Sequence, residues 1–376
     1  MYKRHLGTFL LEKLPATKKV IVLFGARQIG KTTMLKTLTE QYKDKTLWIN
    51  GDLKNYQEVL SSQNSISLKE LIDNNELLII DEAQNIPNIS INLKILHDEL
   101  PKLKIIATGS SSFELANTVK EPLTGRTETY KMYPIAVSEL RLELSVFDIK
   151  NNLESYLKYG MYPEVLTLKG GESKRAHLQE LVSAYLYKDI LQLGNIRHSD
   201  KIHKLLKLLA YQIGSLVSVN ELSNTLGLSH ETVNSYIDLL EKGFIIQRLS
   251  GLSNNPRKEI SKMDKIYFTD VGIRNAVIED YSDIDIRKDV GALWENFIFM
   301  ERQKQLSYKN IHGKSYFWRR YSGAELDIIE QRDGVLHAFE IKWKNRKTSV
   351  PSSWLEDYPN STYQEINRDN FMSFVS

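Results

Sequence analysis

The chain has no cysteine. That excludes disulfides, cysteine-ligated zinc and thiol catalysis, and it suits a reducing cytosol. It also lacks any apolar run of membrane-spanning length, and the N-terminal segment MYKRHLGTFLLEKLPATKK has no apolar core of the secretory kind. A cytoplasmic location without a membrane partner is therefore expected. Nor is there an excess of one charge: a net +3 is too small to argue a nucleic-acid partner by itself. What is present is ordinary for a globular chain, 41% hydrophobic and 26% charged. A length of 376 residues is large for one core, so two or three domains are expected.

The most informative segment is Gly25-Ala26-Arg27-Gln28-Ile29-Gly30-Lys31-Thr32. It fits G-x-x-x-x-G-K-[ST], the phosphate-binding loop, a short pattern that needs context. The context is present. The apolar run Val20–Phe24 precedes it, and Thr33 to Tyr42 has helical spacing. Two glycines let the backbone curl so that successive N–H groups face phosphates, with the helix N-terminus adding partial positive charge. Residues Gly25 through Thr33 are the candidate nucleotide contacts. Lys31 would reach the β and γ phosphates of ATP, and the Thr32 hydroxyl would bind Mg²⁺.

A second buried-strand run ends in Asp81-Glu82. Asp81 would complete the Mg²⁺ shell, and Glu82 would orient the attacking water, since phosphoryl transfer needs positioning and charge neutralisation. A third run ends at Thr108-Gly109-Ser110. Thr108 and Ser110 are candidate sensors of the γ-phosphate; helix capping by the serines is the plainer alternative. Arg126, after Gly125, is a candidate arginine finger, in cis or from a neighbouring subunit, against the plainer reading of a surface ion pair. Asp52, past the strand-like Thr46–Asn50, is a further candidate for orienting magnesium.

GARQIGKTT, LLIIDEAQ, ATGSSSFEL and PLTGR, in this order, resemble the bacterial and archaeal AAA-type ATP-binding proteins that carry a C-terminal domain of unknown function. The resemblance runs over nearly the whole chain. It continues through Tyr159-Gly160-Met161-Tyr162-Pro163, similar to a G-G-x-P lid segment with Tyr159 for the first glycine, and through Tyr185–Ile190. It implies an α/β class: a P-loop parallel-sheet ATPase core over 1–134 and a helical lid over 135–198.

Residues 199–272 carry a winged helix-turn-helix pattern. Val219–Leu226 and His230–Lys242 are the helices, Ser229 the cap, and Phe244–Leu249 and Lys265–Thr269 the strands. Its charge argues against simple DNA reading. The second helix holds Glu231, Asp238 and Glu241 against Lys242 alone, a net charge of −2. Thr232, Asn234 and Ser235 have side chains able to read bases. Basic residues lie elsewhere, at Lys201, Lys204 and Lys207 and at Arg257, Lys258 and Lys262. DNA contact and protein docking both stay open.

The last segment, 285–376, carries a further constellation. Asp333-Gly334 is a two-residue hairpin signal. With Arg332 opposite Val335, Asp327 falls opposite Glu340 and Glu325 opposite Lys342, all projecting from one face. Phe339, Ile341 and Trp343 take the core face. Opposed carboxylates destabilise a sheet and call for a cation. Asp, then Glu-x-Lys on the next strand, resembles the PD-(D/E)xK nucleases, an α/β restriction-endonuclease-like fold. That resemblance implies Asp327 and Glu340 as Mg²⁺ ligands, Glu295 as an extra acid and Lys342 as the group that helps activate water. Arg319, Arg320, Lys344, Arg346 and Lys347 would meet phosphates. A solvated face with a Glu325–Lys342 pair is the plainer alternative. The expectation is an ATPase whose nucleotide cycle controls DNA-facing modules, either cleaving DNA with Mg²⁺ or acting as a non-cleaving switch on DNA or a protein. Whether it oligomerises is left open by the sequence.

Overall fold

The computed structural model describes residues 2–109, 123–184, 199–253, 263–320, 323–345 and 349–376. The chain divides into two units, Met1–Pro134 with Lys242–Phe244, and Ile135–Glu241 with Ile245–Ser376.

The first unit is built on five parallel strands: β1 (Val20–Phe24), β2 (Thr46–Asn50), β3 (Leu77–Asp81), β4 (Lys104–Gly109) and β5 (Thr127–Lys131), in the order β2-β3-β4-β1-β5. The inner strands read VIVLF, LLIID and KIIATG and are almost wholly buried. A parallel sheet covered on both faces needs such unbroken apolar runs. The edge strands β2 and β5 are half-buried and mix polar residues in. Parallel strands put all their C-terminal ends on one edge, where ligands bind in open α/β sheets. The loop after β1, the carboxylates Asp81 and Glu82 at the end of β3 and the end of β4 therefore converge. The helix after the loop is shorter than its periodicity predicts. It runs Lys31–Leu38 and tightens into a 3-10 turn, Thr39–Lys45, in which Tyr42 leaves helical angles. Thr39 Oγ1 donates to the Lys36 carbonyl (3.0 Å), a side-chain bond that competes with the helix.

In the second unit the regular structure described between 135 and 184 is helical, from Val137–Leu140 to Gly171–Ala184. Helices Ser199–Tyr211, Val219–Leu226 and His230–Lys242 lead into an antiparallel ribbon of β6 (Ile246–Leu249) and β7 (Lys265–Phe268). Ser229 caps the third of these helices, its Oγ accepting from the Thr232 N–H (3.1 Å). Val233, Tyr236, Ile237 and Leu240 form its buried stripe. Arg257, Lys258 and Lys262 lie outside the described residues.

The long helix Val290–Tyr308 follows, then a four-stranded sheet ordered β11-β10-β9-β8, from β8 (Lys314–Arg319), β9 (Glu325–Arg332), β10 (Val335–Ile341) and β11 (Thr362–Ile366). Asp333 (φ 50°) and Gly334 (φ 79°) make the turn between β9 and β10. Two successive positive φ values match the twist of the strands. Arg332 pairs with Val335 and Ile328 with Phe339, the register read from the Asp-Gly turn. The described ladder ends there. Asp327 turns its Oδ2 onto the Ile341 N–H (2.8 Å), which takes that donor out of the ladder. On its other side β9 bulges, with Tyr316 opposite Ile329 but Trp318 opposite Leu326. The bulge re-aims side chains, so simple alternation from one face does not hold across Asp327. Asn296 on the long helix completes the edge of β7. Its Oδ1 accepts from the Phe268 N–H (2.8 Å) and its Nδ2 donates to the Phe268 carbonyl (2.7 Å). Among the described residues no helix is long and apolar enough to cross a membrane.

Candidate functional site

The loop Gly25–Gly30 joins β1 to the helix Lys31–Leu38. A Cβ on Gly25 would lie 2.4 Å from the Met132 carbonyl oxygen and 2.5 Å from the Ile29 side chain, so only glycine fits there. Gln28 and Gly30 turn the chain with positive φ, 57° and 90°. Lys31 is buried inside the curl, where its Nζ donates to the carbonyls of Gly25 (2.7 Å) and Ala26 (2.8 Å).

The helix after the loop and the end of β4 both meet Asp81 at the end of β3. Thr32 Oγ1 donates to its Oδ2 (2.8 Å) and Thr108 Oγ1 to its Oδ1 (2.5 Å). Thr108 also accepts from the Glu82 N–H (3.3 Å). Glu82 takes left-handed angles, φ 52° and ψ 45°, and its Oε2 accepts from Gln84 Nε2 (2.6 Å). A hydroxyl beside a carboxylate is an all-oxygen donor set of the kind Mg²⁺ takes while keeping several waters. The residues present therefore fit that ion. Asp52 is bonded to Asn85 Nδ2 (2.6 Å). Ser110 lies outside the described residues.

Arg126 is corrected in one of its two expected roles. Its carbonyl accepts from the Val20 N–H (2.9 Å), so it stands at the start of β1 and β5, and the loop follows their far ends. At about 3.3 Å per residue, roughly 13 Å of strand separates them. Its guanidinium forks onto Asp98 (2.8 and 3.2 Å), and that bond, with His97 adding, holds the Asp98 carboxyl at about 2. The phosphates of its own loop are out of reach, which removes the cis finger.

Sequence reasoning missed Arg4. It is 7% exposed and donates through Nη1 to the Ile29 carbonyl (2.7 Å) and through Nη2 to the Tyr133 carbonyl (2.5 Å). The lid-like segment is held within the second unit: Asp270 Oδ2 accepts from the Met161 N–H (2.7 Å), and a Cβ on Gly160 would collide with the Asp270 carboxylate.

Two acids of the C-terminal hairpin, Glu325 and Asp327, lie around a side chain that the sequence did not announce. Lys265 on β7 is 1% exposed. Its Nζ lies 2.6 Å from Glu325, 3.1 Å from Glu295 and 3.7 Å from Asp327. Burial alone would lower Lys265; the charges of Glu295, Asp327 and Glu325 win and hold it ionised. Glu295 also accepts from the Tyr267 hydroxyl (2.6 Å). Burial and then the Asp327 charge push Glu295 up to about 7, against Lys265 and Tyr267. Lys342 pairs with Glu340 (2.5 Å), whose other oxygen is buried without a hydrogen-bond partner.

Two expectations change here. The Glu325–Lys342 pair is replaced by Glu325–Lys265 and Glu340–Lys342. The metal set Glu295, Asp327 and Glu340 is not assembled: among the described residues no group of three or more His, Asp or Glu is arranged to hold a metal ion. Positive charge comes to Glu295, Glu325 and Asp327 from Lys265 on the neighbouring ribbon, and to Glu340 from Lys342. Part of the basic flank is also engaged, with Arg319 near Glu325 (3.6 Å) and Arg320 on Asp357 (2.5 Å); Arg346 and Lys347 lie outside the described residues. On the helix His230–Lys242, Asp238 and Glu241 are met by Arg248 of β6 (2.8 and 2.6 Å), leaving Asn234 and Ser235 exposed.

Residues 17–141 match the family model described as an AAA domain. Two further family models, each described as a domain of unknown function, match residues 150–284 and 290–365. An uncharacterized protein of Mycobacterium tuberculosis is 28% identical over 336 residues, 89% of this chain and 71% of its own length. An uncharacterized protein of Methanocaldococcus jannaschii is 23% identical over 355 residues, 88% of this chain and 77% of its own. The solved structure of the Thermotoga maritima RuvB Holliday junction branch migration motor is similar at a TM-score of 0.34 and 16% identity, over 68% of this chain and 91% of that one. That superposition is too loose to say anything of this chain's partners. The AAA match, the five-stranded parallel sheet and the loop make the first unit an AAA-type P-loop ATPase core.

Proposed function

We propose that the chain hydrolyses MgATP at Lys31, Thr32, Asp81 and Glu82, and that the nucleotide state leads the second unit to bind or release a partner, DNA or protein, without cutting DNA. The observation that supports the first part is the convergence of Thr32, Asp81 and Thr108. The loop N–H groups cradle the phosphates, and Lys31 exchanges its two carbonyls for phosphate oxygens. Glu82 orients the attacking water and Thr108 fixes the carboxylate beside it. Mg²⁺ held by Thr32 and Asp81 would neutralise charge on the phosphates. Replacing Lys31 by Ala should abolish phosphate release, and Glu82→Gln should slow it roughly a hundredfold or more while ATP still binds. Phosphate release unaffected by Lys31→Ala would refute the assignment.

Arg126 is proposed to serve the loop of a second copy. Mixing Lys31→Ala with Arg126→Ala chains should then restore part of the hydrolysis, because one mixed site is complete. Two inactive variants that stay inactive together would exclude it.

The alternative for the second unit is Mg²⁺-dependent cleavage by Asp327, Glu340 and Lys342. Lys265 favours the non-cleaving reading, since it supplies the cation for Glu295 and Glu325. The test is plasmid incubated with Mg²⁺ or Mn²⁺, with and without ATP, beside Asp327→Ala. Intact plasmid in every lane is expected; nicking that Asp327→Ala removes would reverse the choice.

A further inference from the structure

Both ends of the phosphate loop are tied to one short segment of chain. At the start, the Met132 N–H donates to the Phe24 carbonyl (2.7 Å), and the Met132 carbonyl leaves no room for a side chain on Gly25. At the end, Arg4 bridges the carbonyl of Ile29 (2.7 Å) to that of Tyr133, the residue after Met132 (2.5 Å). A guanidinium stays charged and presents its donors as a rigid fork, so it sets both the distance and the angle between two acceptors. In a trans peptide the C=O and the following N–H point opposite ways. Pinning the Ile29 carbonyl onto Arg4 therefore aims the Gly30 N–H to the other side of that peptide, away from Arg4.

We propose that Arg4 is a positioning residue of the ATPase: it fixes the Ile29–Gly30 peptide so that the loop N–H groups are arranged for phosphate before nucleotide arrives. Arg4 acts on the main chain and not on the nucleotide. The inference rests on Gly25–Thr32 being the nucleotide site. Pre-ordering removes a cost that binding would otherwise bear, so its loss appears first in affinity.

The test measures kcat and KM for ATP, and ATP binding, in the full chain carrying Arg4→Gln or Arg4→Lys, with the nucleotide-free melting temperature recorded for each. Arg4→Gln should raise KM and the dissociation constant roughly tenfold, as for loss of a charge-assisted hydrogen bond, with a smaller fall in kcat. Arg4→Lys, which keeps the charge and a donor, should recover part of the affinity. A residue that only stabilises the fold would lower the melting temperature and leave KM of the folded protein unchanged; that result, in both variants, overturns the proposal. Should Arg4→Gln fail to fold, Arg4→Lys decides alone, a several-fold rise in KM supporting the proposal and an unchanged KM overturning it. Lys31→Ala in the same assay separates the two readings, since hydrolysis surviving there rejects the nucleotide site itself.

Discussion

Lys265 is a buried cation with three carboxylates around it. Removing one partner of a buried ion pair leaves uncompensated charge and typically costs about 3–5 kcal/mol. Lys265→Met should therefore lower the melting temperature of the second unit by roughly 10 °C, with Glu325→Gln in the same chain returning part of it. An equal melting temperature for wild type and Lys265→Met would reject the neutralising role. Asp289 offers a pH-dependent counterpart. Arg274 (2.6 Å) and Arg287 (2.8 Å) bond its carboxylate. Burial alone would raise its pKa, but the two guanidinium groups bring it from 3.8 to about 2. A depressed carboxyl stabilises the fold above its unfolded value and loses that contribution as pH falls through the folded one. The window is pH 4 down to about 2, and partial exposure limits the effect to roughly 1 kcal/mol. In acid titrations followed by circular dichroism, Asp289→Asn should be less stable at neutral pH and match wild type near pH 2. Parallel curves throughout would contradict the linkage.

Among the elements, the β9–β10 hairpin was the most legible of the long-range features. Asp333-Gly334 demanded positive φ at both positions, and the register followed by counting. Gly334→Val should destabilise the second unit by about 1–2 kcal/mol, the cost of a left-handed angle for a residue with a Cβ; an unchanged urea midpoint would show that the turn is not set by this angle. The phosphate loop and Asp81-Glu82 were legible for the same reason, being local patterns whose strand order followed. What failed was orientation at a distance. Gly125-Arg126 precedes β5, and only the parallel pairing of β5 with β1 shows that this end faces away from the loop. The bulge in β9 was hidden because it depends on β8, whose pairing no residue type in β9 announces. Lys265 and Arg4 were missed because their partners lie far along the chain. A lysine in a short strand, or an arginine ahead of a helix, reads as surface until the partners are in place.

At the scale of the whole chain, the phosphate loop lies in the first unit and the carboxylate–lysine cluster in the second. Heating should show this directly. Saturating MgATP at a hundred times its dissociation constant stabilises the state that binds it by about 2.7 kcal/mol. In calorimetry of the intact Glu82→Gln chain, that gain should appear in the transition of the first unit and vanish in a Lys31→Ala background. A shift of equal size in Lys31→Ala would place nucleotide elsewhere.

Lys265 also bears on how this sequence can change over time. Three carboxylates lean on one ammonium, so neither side can be altered alone without stranding buried charge. Drift at position 265 is then tied to drift at 295, 325 and 327. Descendants that lose the lysine should have lost acidic character at one or more of those positions as well, and the four sites should travel through the lineage as a single heritable character.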